Sequence, residues 1–384
     1  MSALCAQAQD YPEREKLRAH SNEFRKDVIQ VTDGVFVAVG YASSNVILIQ
    51  GEGGSIIVDT STDLVAARQI VEAFGARVRT PVRAIIYTHS HPDHTGGARA
   101  FAGSATPEIY SHQSFLQTAP DAGRAGRDGG DQFGMTLPAS LFINAGVQAE
   151  FGRAVPPSRE GYLPPTRTFA GDDLSVTIAG VRVQLLRTPG ETTDTIAVWL
   201  PHSRVLMPGD NFYRAFPNVS PIRGARLRSP EAWVASLDLL IALQADHVVP
   251  SHTRPVLGSN SARAALSAYR DGFKSVLDQT AEGIRKGERP DELVAHVKLP
   301  PGWPGTRSCR SSTAASSGRC AVSTPIRSAG STATRPGSSL CVSGIARRNS
   351  WRSSAASTAR SRVHEPRLPP ATSPGRQSWP TPCC

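Results

Sequence analysis

The sequence predicts a mixed α/β chain in which two β-sheets pack face to face with helices on their outer sides. Three observations carry this. Short β-branched apolar runs recur, punctuated by Gly- and Asp-rich turns. They fall into two groups, each closed by helical sequence, and two packed layers with helices outside bury all these faces. A His-rich segment follows one of the apolar runs, so the strands end in chemistry.

Residues 28–40 and 44–60 read as consecutive strands and hairpins, broken by Asp33-Gly34 and by Gly51-Glu52-Gly53-Gly54. A helix is predicted over 62–75, with Leu64, Ala67, Val71 and Phe74 on one face. VRAIIYTHS at 82–90 reads as a buried strand that ends where the histidines begin. Strand patterns return at 172–188, 195–200 and 203–207. A helix over 230–244 opens with Ser229 as N-cap, Pro230 at its first position and Glu231 in its first turn. The short strand 247–250 delivers Ser251-His252. Residues 259–299 read as a long amphipathic helix and a shorter one opened by Pro290, whose apolar face must meet either the preceding domain or a second subunit.

Composition changes at about residue 301. The segment 301–384 has twelve Arg, no Lys and a single acid, Glu365. The remaining 30 basic and 31 acidic residues leave 1–300 at −1, so the overall +10 belongs to the tail. No nucleic-acid partner is therefore expected for 1–300. Five of the six cysteines also lie in the tail, which leaves Cys5 alone in the body and excludes a disulfide framework or a Cys-based metal site there. The tail reads either as a disordered basic segment or as a shifted reading frame. The second is favoured: codons for 311–318 can be written that read FYGSVEW in another frame, and those for 323–333 likewise DAYPVGWFDG. No apolar stretch reaches the ~20 residues that span a bilayer. Residues 3–8 have the small-residue look of an export-signal cleavage region without an apolar segment before it, so cytoplasmic and exported locations both stay open. The organisation expected is thus an extension over 1–24, a main domain over 25–258, a helical segment over 259–300 and the tail 301–384.

The chemistry centres on His89-Ser90-His91-Pro92-Asp93-His94-Thr95-Gly96-Gly97. Four potential ligands within six residues call for a loop, since a strand would alternate them and a helix would fan them out. Imidazoles with a carboxylate suit Zn²⁺ or a similar divalent ion. His89 and His91 are expected to face a first metal, and Asp93 and His94 a second. His252, at the end of its strand, is the natural third ligand of the second ion. Asp210, in MPGDNF, is placed to bridge both. Glu191, in TPGETTD, is in position to serve the first ion or to be an ordinary loop acid. Two such ions hold a hydroxide that is nucleophilic near neutral pH, an arrangement strong for metal chemistry and weak for substrate.

The frame YTHSHPDHTGG, followed in order by TPGE, PGDN, IRGA and PSH, resembles the type III alkyl sulfatases of the metallo-β-lactamase superfamily. The resemblance covers roughly 25–300 and implies an αββα sandwich hydrolysing alkyl sulfate esters with two zinc ions. It implies Glu191 as a ligand in place of a third His, nineteen residues before Asp210, with Asn211 next. It implies that Arg223, thirteen residues after Asp210, grips the sulfate, a task suited to a guanidinium fork. Asn211 and Asn218 match positions that line the same pocket, and 259–299 looks like the opening of a dimerisation domain, so a homodimer is implied. Departures are an Asp at 210 where the family has Glu, Arg214 and Pro217 where it carries His, and Phe133 where it has Tyr. The catalytic set expected is therefore Asp93, Asp210 and Arg223. The nearest rival is a lactam, lactone or thioester hydrolase, which has no need of Arg223; an inactive truncated product is the other.

Overall fold

The computed structural model describes residues 22–122, 159–217, 219 and 228–301. Phe133, Asn218, Arg223 and the tail beyond Pro301 lie outside them.

One sheet comprises β1 (Asp27–Thr32), β2 (Val35–Val39), β3 (Val46–Gly51), β4 (Gly54–Val58), β5 (Val82–Ile86), β6 (Glu108–His112) and β7 (Arg167–Phe169), hydrogen-bonded in that order. The first four run antiparallel through hairpins, and β4 to β7 are parallel. The Asp33-Gly34 connection works because Gly34 adopts φ +72°, which an L side chain resists. The second sheet runs β13–β12–β11–β10–β9–β8, from β8 (Asp173–Ile178), β9 (Val181–Arg187), β10 (Ile196–Leu200), β11 (Val205–Met207), β12 (His247–Val248) and β13 (Val256–Leu257). VRAIIYTHS is strand only as far as Ile86, so three more residues carry the chain to His89.

Period-two alternation assigns both faces of these strands. Ile47 and Ile49 of β3 meet Val198, Leu200 and Met207 in the layer between the sheets. Val46 and Leu48 face the other way, under helix α1 (Leu64–Phe74) with its Ala67, Ile70 and Phe74. The buried stripe of α1 thus runs through Ile70, with Val71 at its margin. Asp63 starts this helix by accepting from the amides of Val65 and Ala66. Each fully buried Ile or Val here contributes about 1.5–3 kcal/mol.

Beyond α1, the first half carries α2 (Pro92–Thr95), α3 (Ala98–Ala102) and α4 (Phe115–Ala122). The second sheet is covered by α5 (Pro230–Ala242) and α6 (Ser259–Arg285), followed by α7 (Pro290–His296). Ala262, Leu266, Tyr269, Phe273 and Val276 of α6 share one core with Trp233, Leu237 and Leu240 of α5 and Trp199 and Leu206 of the sheet. Of the two partners open to its apolar face, α6 packs on the domain itself. The result is four layers, helix–sheet–sheet–helix. Among the described residues no helix is long and apolar enough to cross a membrane.

Candidate metal centre

The histidine segment leaves the C-terminal end of β5 and is not wholly a loop: Asp93 and His94 sit in the single helical turn α2. Pro92 at its first position starts that turn, since its ring presets φ, and Gly96 caps it. Gly96 and Gly97 let the segment lie against the start of α1: a Cβ on either would come within 1.9 Å of Thr62 O or 2.2 Å of Thr60 O.

Two clusters of ligand atoms result. His89, His91 and Asp210 form one, and Asp93, His94 and His252 the other, each with its atoms within 4.8 Å of one another. Asp210 touches both, with Oδ2 3.8 Å from His89 Nε2, 3.6 Å from His94 Nε2 and 3.1 Å from His252 Nε2. Asp93 Oδ2 lies 3.4 Å from His94 Nε2 and 3.6 Å from His252 Nε2. Glu191 lies beside the first cluster, 3.6 Å from His91 Nδ1 and 2.6 Å from Arg228 Nη2.

Asn211, expected to line the substrate pocket, is fully buried. Its Oδ1 accepts from the Glu191 amide at 3.2 Å and its Nδ2 donates to Thr188 O at 2.5 Å. In this structure its amide ties the Glu191 loop to the Asp210 turn. That close approach uses Gly190, where a Cβ would fall 2.3 Å from Asn211 Oδ1.

Two organising residues escaped the sequence reading. Asp59, at the end of β4 with φ +57°, is fully buried. Its Oδ1 accepts from Thr88 N (2.8 Å), and its Oδ2 from Thr88 Oγ1 (2.8 Å), Ser251 Oγ (2.9 Å) and His94 Nδ1 (2.8 Å). Holding Nδ1 aims Nε2 of His94 into the site. The other is Arg228, buried against Glu191. An acid after an apolar run and an arginine before a helix cap both look ordinary in sequence. His252 is oriented in the same manner as His94, by Nδ1 donating to Ser43 O at 2.6 Å.

Electrostatics divide the imidazoles. Burial, reinforced by the charges of His94 and His91, pushes the His89 pKa well below its usual value and leaves a lone pair available. Burial opposes charge on His94 as well, but the carboxylates of Asp93, Asp210 and Asp59 outweigh it and raise its pKa well above normal. For His252, Asp210 overcomes burial and pushes the pKa up to about 9. Asp93 and Asp210 are held far below the usual carboxylate range, because the facing histidines outweigh burial. Four acids and four histidines converging on one pocket are a poor arrangement for stability alone. His94 Nε2 and Asp210 Oδ1 are buried without a hydrogen-bond partner among the described residues. Buried nitrogen and carboxylate donors of this kind suit a divalent metal.

Comparison with known proteins follows from this geometry. The chain is 37% identical to a linear primary-alkylsulfatase of Pseudomonas sp. (strain ATCC 19151) over 66% of its own length and 50% of that protein. It is 26% identical to an (R)-specific secondary-alkylsulfatase of Pseudomonas sp. over 72% of its length and 44% of that protein. It thus spans about half the length of the curated relatives it matches. The solved structure of a stereoselective inverting sec-alkylsulfatase from Pseudomonas sp. superposes with a TM-score of 0.65 at 22% identity, over 79% of this chain and 51% of that one, which speaks for the fold. Residues 39–252, the span from β2 to the last histidine of the centre, match the metallo-beta-lactamase superfamily model. With its two sheets, its outer helices and its histidine segment in that span, the chain belongs to the metallo-beta-lactamase superfamily.

Proposed function

We propose that this chain is a metal-dependent hydrolase of alkyl sulfate esters, releasing an alcohol and sulfate. The observation that carries the metal reading is the pair of ligand clusters sharing Asp210. The substrate reading is supported by the alkylsulfatase relatives.

In this reading His89, His91 and Glu191 would hold one zinc ion and Asp93, His94 and His252 the other, with Asp210 close enough to both clusters to serve either. When bound, such ions supply Lewis acidity and activate water near neutral pH. The chain's own residues do the rest. Asp59 and the Ser43 carbonyl keep His94 and His252 in the tautomer that presents Nε2. Asp93, with 28% of its side chain exposed, is the most exposed of the candidate ligands. Arg223 would orient the sulfate through a forked pair of N–H donors. Asn218 would line the pocket beside it. Asn211 works from behind, by fixing the Glu191 loop.

The test is sulfate release from dodecyl sulfate by the full 384-residue chain supplied with two equivalents of zinc, beside a panel of lactams and lactones. Sulfate release lost in Glu191→Ala and in Arg223→Ala supports the proposal. Turnover of lactam or lactone without sulfate release sinks the substrate reading and keeps the metal reading. A folded protein that retains no zinc overturns both.

A further inference from the structure

Glu191 is gripped from helix α5. Arg228 stands just before that helix, where Ser229 Oγ accepts from the Ala232 amide at 3.2 Å and Pro230 begins the first turn. One turn on, Trp233 Nε1 donates to Asn211 O at 3.0 Å, and Ser236 Oγ donates to Pro189 O at 2.8 Å. Asn211 in turn holds Thr188 O and the Glu191 amide. The loop 188–191 is thus fixed at the carbonyls of 188 and 189 and at the amide of 191. These grips act on the main chain of the loop.

Arg228 acts on the carboxylate. Its Nη2 lies 2.6 Å from Glu191 Oε1, with 2% and 7% of the two side chains exposed. A buried guanidinium is costly unless it meets an anion, and Arg228 meets the Glu191 carboxylate as a close ion pair through Nη2. The same Oε1 lies 3.6 Å from His91 Nδ1, so the pair holds the carboxylate against the first ligand cluster.

We propose that Arg228 is a positioning residue for metal binding, fixing the Glu191 carboxylate where it completes the site of His89, His91 and Asp210. This rests on the reading of Glu191 as a ligand. Partners of ligating carboxylates typically change metal affinity about 10- to 100-fold when removed.

The experiment strips the full-length protein with chelator and titrates Zn²⁺ against a chromophoric competitor, for wild type, Arg228→Met, Arg228→Lys and Glu191→Gln. Wild type is expected to bind two ions. In Arg228→Met one of the two should bind about 10- to 100-fold more weakly while the other is unchanged. Arg228→Lys, which keeps the charge without the fork, should recover part of that loss. Glu191→Gln should weaken the same ion at least as much as Arg228→Met. Unchanged or tighter binding of both ions in Arg228→Met, beside a weakened site in Glu191→Gln, overturns the positioning role and spares the ligand. Unchanged binding in Glu191→Gln refutes the ligand reading and the positioning role with it. If Arg228→Met does not fold, Arg228→Lys decides: a several-fold weaker single site supports the proposal, and two wild-type sites overturn it.

Discussion

Replacing Asp59 with Asn changes a buried carboxylate into an amide of nearly the same shape. Asn tolerates the left-handed backbone at this position (φ +57°), so the substitution isolates the side-chain chemistry. Oδ2 serves three donors and Oδ1 one, so the amide settles with its oxygen toward Thr88 Oγ1, His94 and Ser251. Its NH₂ then faces the Thr88 amide, which loses its acceptor. Bonds to a charged acceptor contribute about 1.5–3 kcal/mol and neutral ones about 1, while a buried unpaired N–H costs about 1–3. Allowing for non-additivity, the metal-free protein should lose roughly 3–5 kcal/mol, or about 10 °C in melting temperature for a domain of this size. Zinc affinity at the site containing His94 should fall about 10- to 100-fold, since the imidazole loses its charged orienter. Ser251→Ala, which removes one donor from the same oxygen, should cost only about 1 kcal/mol. Calorimetric melting with and without zinc reads both quantities. A melting temperature within about 2 °C of wild type, with zinc affinity unchanged, would refute the account of Asp59 as the hub that aims His94.

Other expectations follow from the same geometry. The folded-state pKa of His252, about 9, stands above its ordinary value of 6.5. Its contribution to the metal-free protein is therefore complete below pH 6.5 and lost as pH rises through about 9; thermal melting of chelated protein should decline across that window. Zinc binding must displace this proton, so calorimetry at pH 7 in buffers of different ionisation enthalpy should show proton release; none would contradict His252 as a ligand. Phe273→Ala should destabilise by about 3–5 kcal/mol, because its ring is buried between α6 and Trp233. A denaturant midpoint like that of wild type would argue against α6 as an integral layer. Arg223→Ala should lower kcat/KM for dodecyl sulfate on the order of 100-fold with both zinc ions retained; equal loss of zinc would reassign that residue to folding.

The legible parts of the chain were those whose signal is local. His89, His91, Asp93 and His94 declare themselves because four potential ligands crowd six residues behind an apolar strand. The hairpins at Asp33-Gly34 and the Ser229-Pro230 helix start follow from backbone preferences that tertiary contacts did not override. Glu191, Asp210 and His252 are different: each is a single polar residue after a short strand, and in sequence only their order and spacing in the family resemblance set them apart from turn residues. Asp59 and Arg228 lay beyond reach. The partners of Asp59 come from residues 88, 94 and 251, and no pattern near residue 59 encodes that. Asn211 was legible as a site residue, but not the ties of its amide to Glu191 N and Thr188 O. For α6 the amphipathic stripe was visible, while the surface that covers it was not, because a stripe fits a domain and a subunit equally well.

The candidate ligands are split between the two sheets. His89 through His94 leave β5 of the first, whereas Glu191, Asp210 and His252 follow strands of the second. During synthesis the first four emerge more than a hundred residues before His252. Until the second sheet has docked, a metal would find only a partial, flexible set of donors and bind weakly. If the proposed metal reading holds, loading would come late in the life of the nascent chain, after both halves have met, and a ribosome-bound fragment ending between β7 and β8 should retain no zinc through gel filtration.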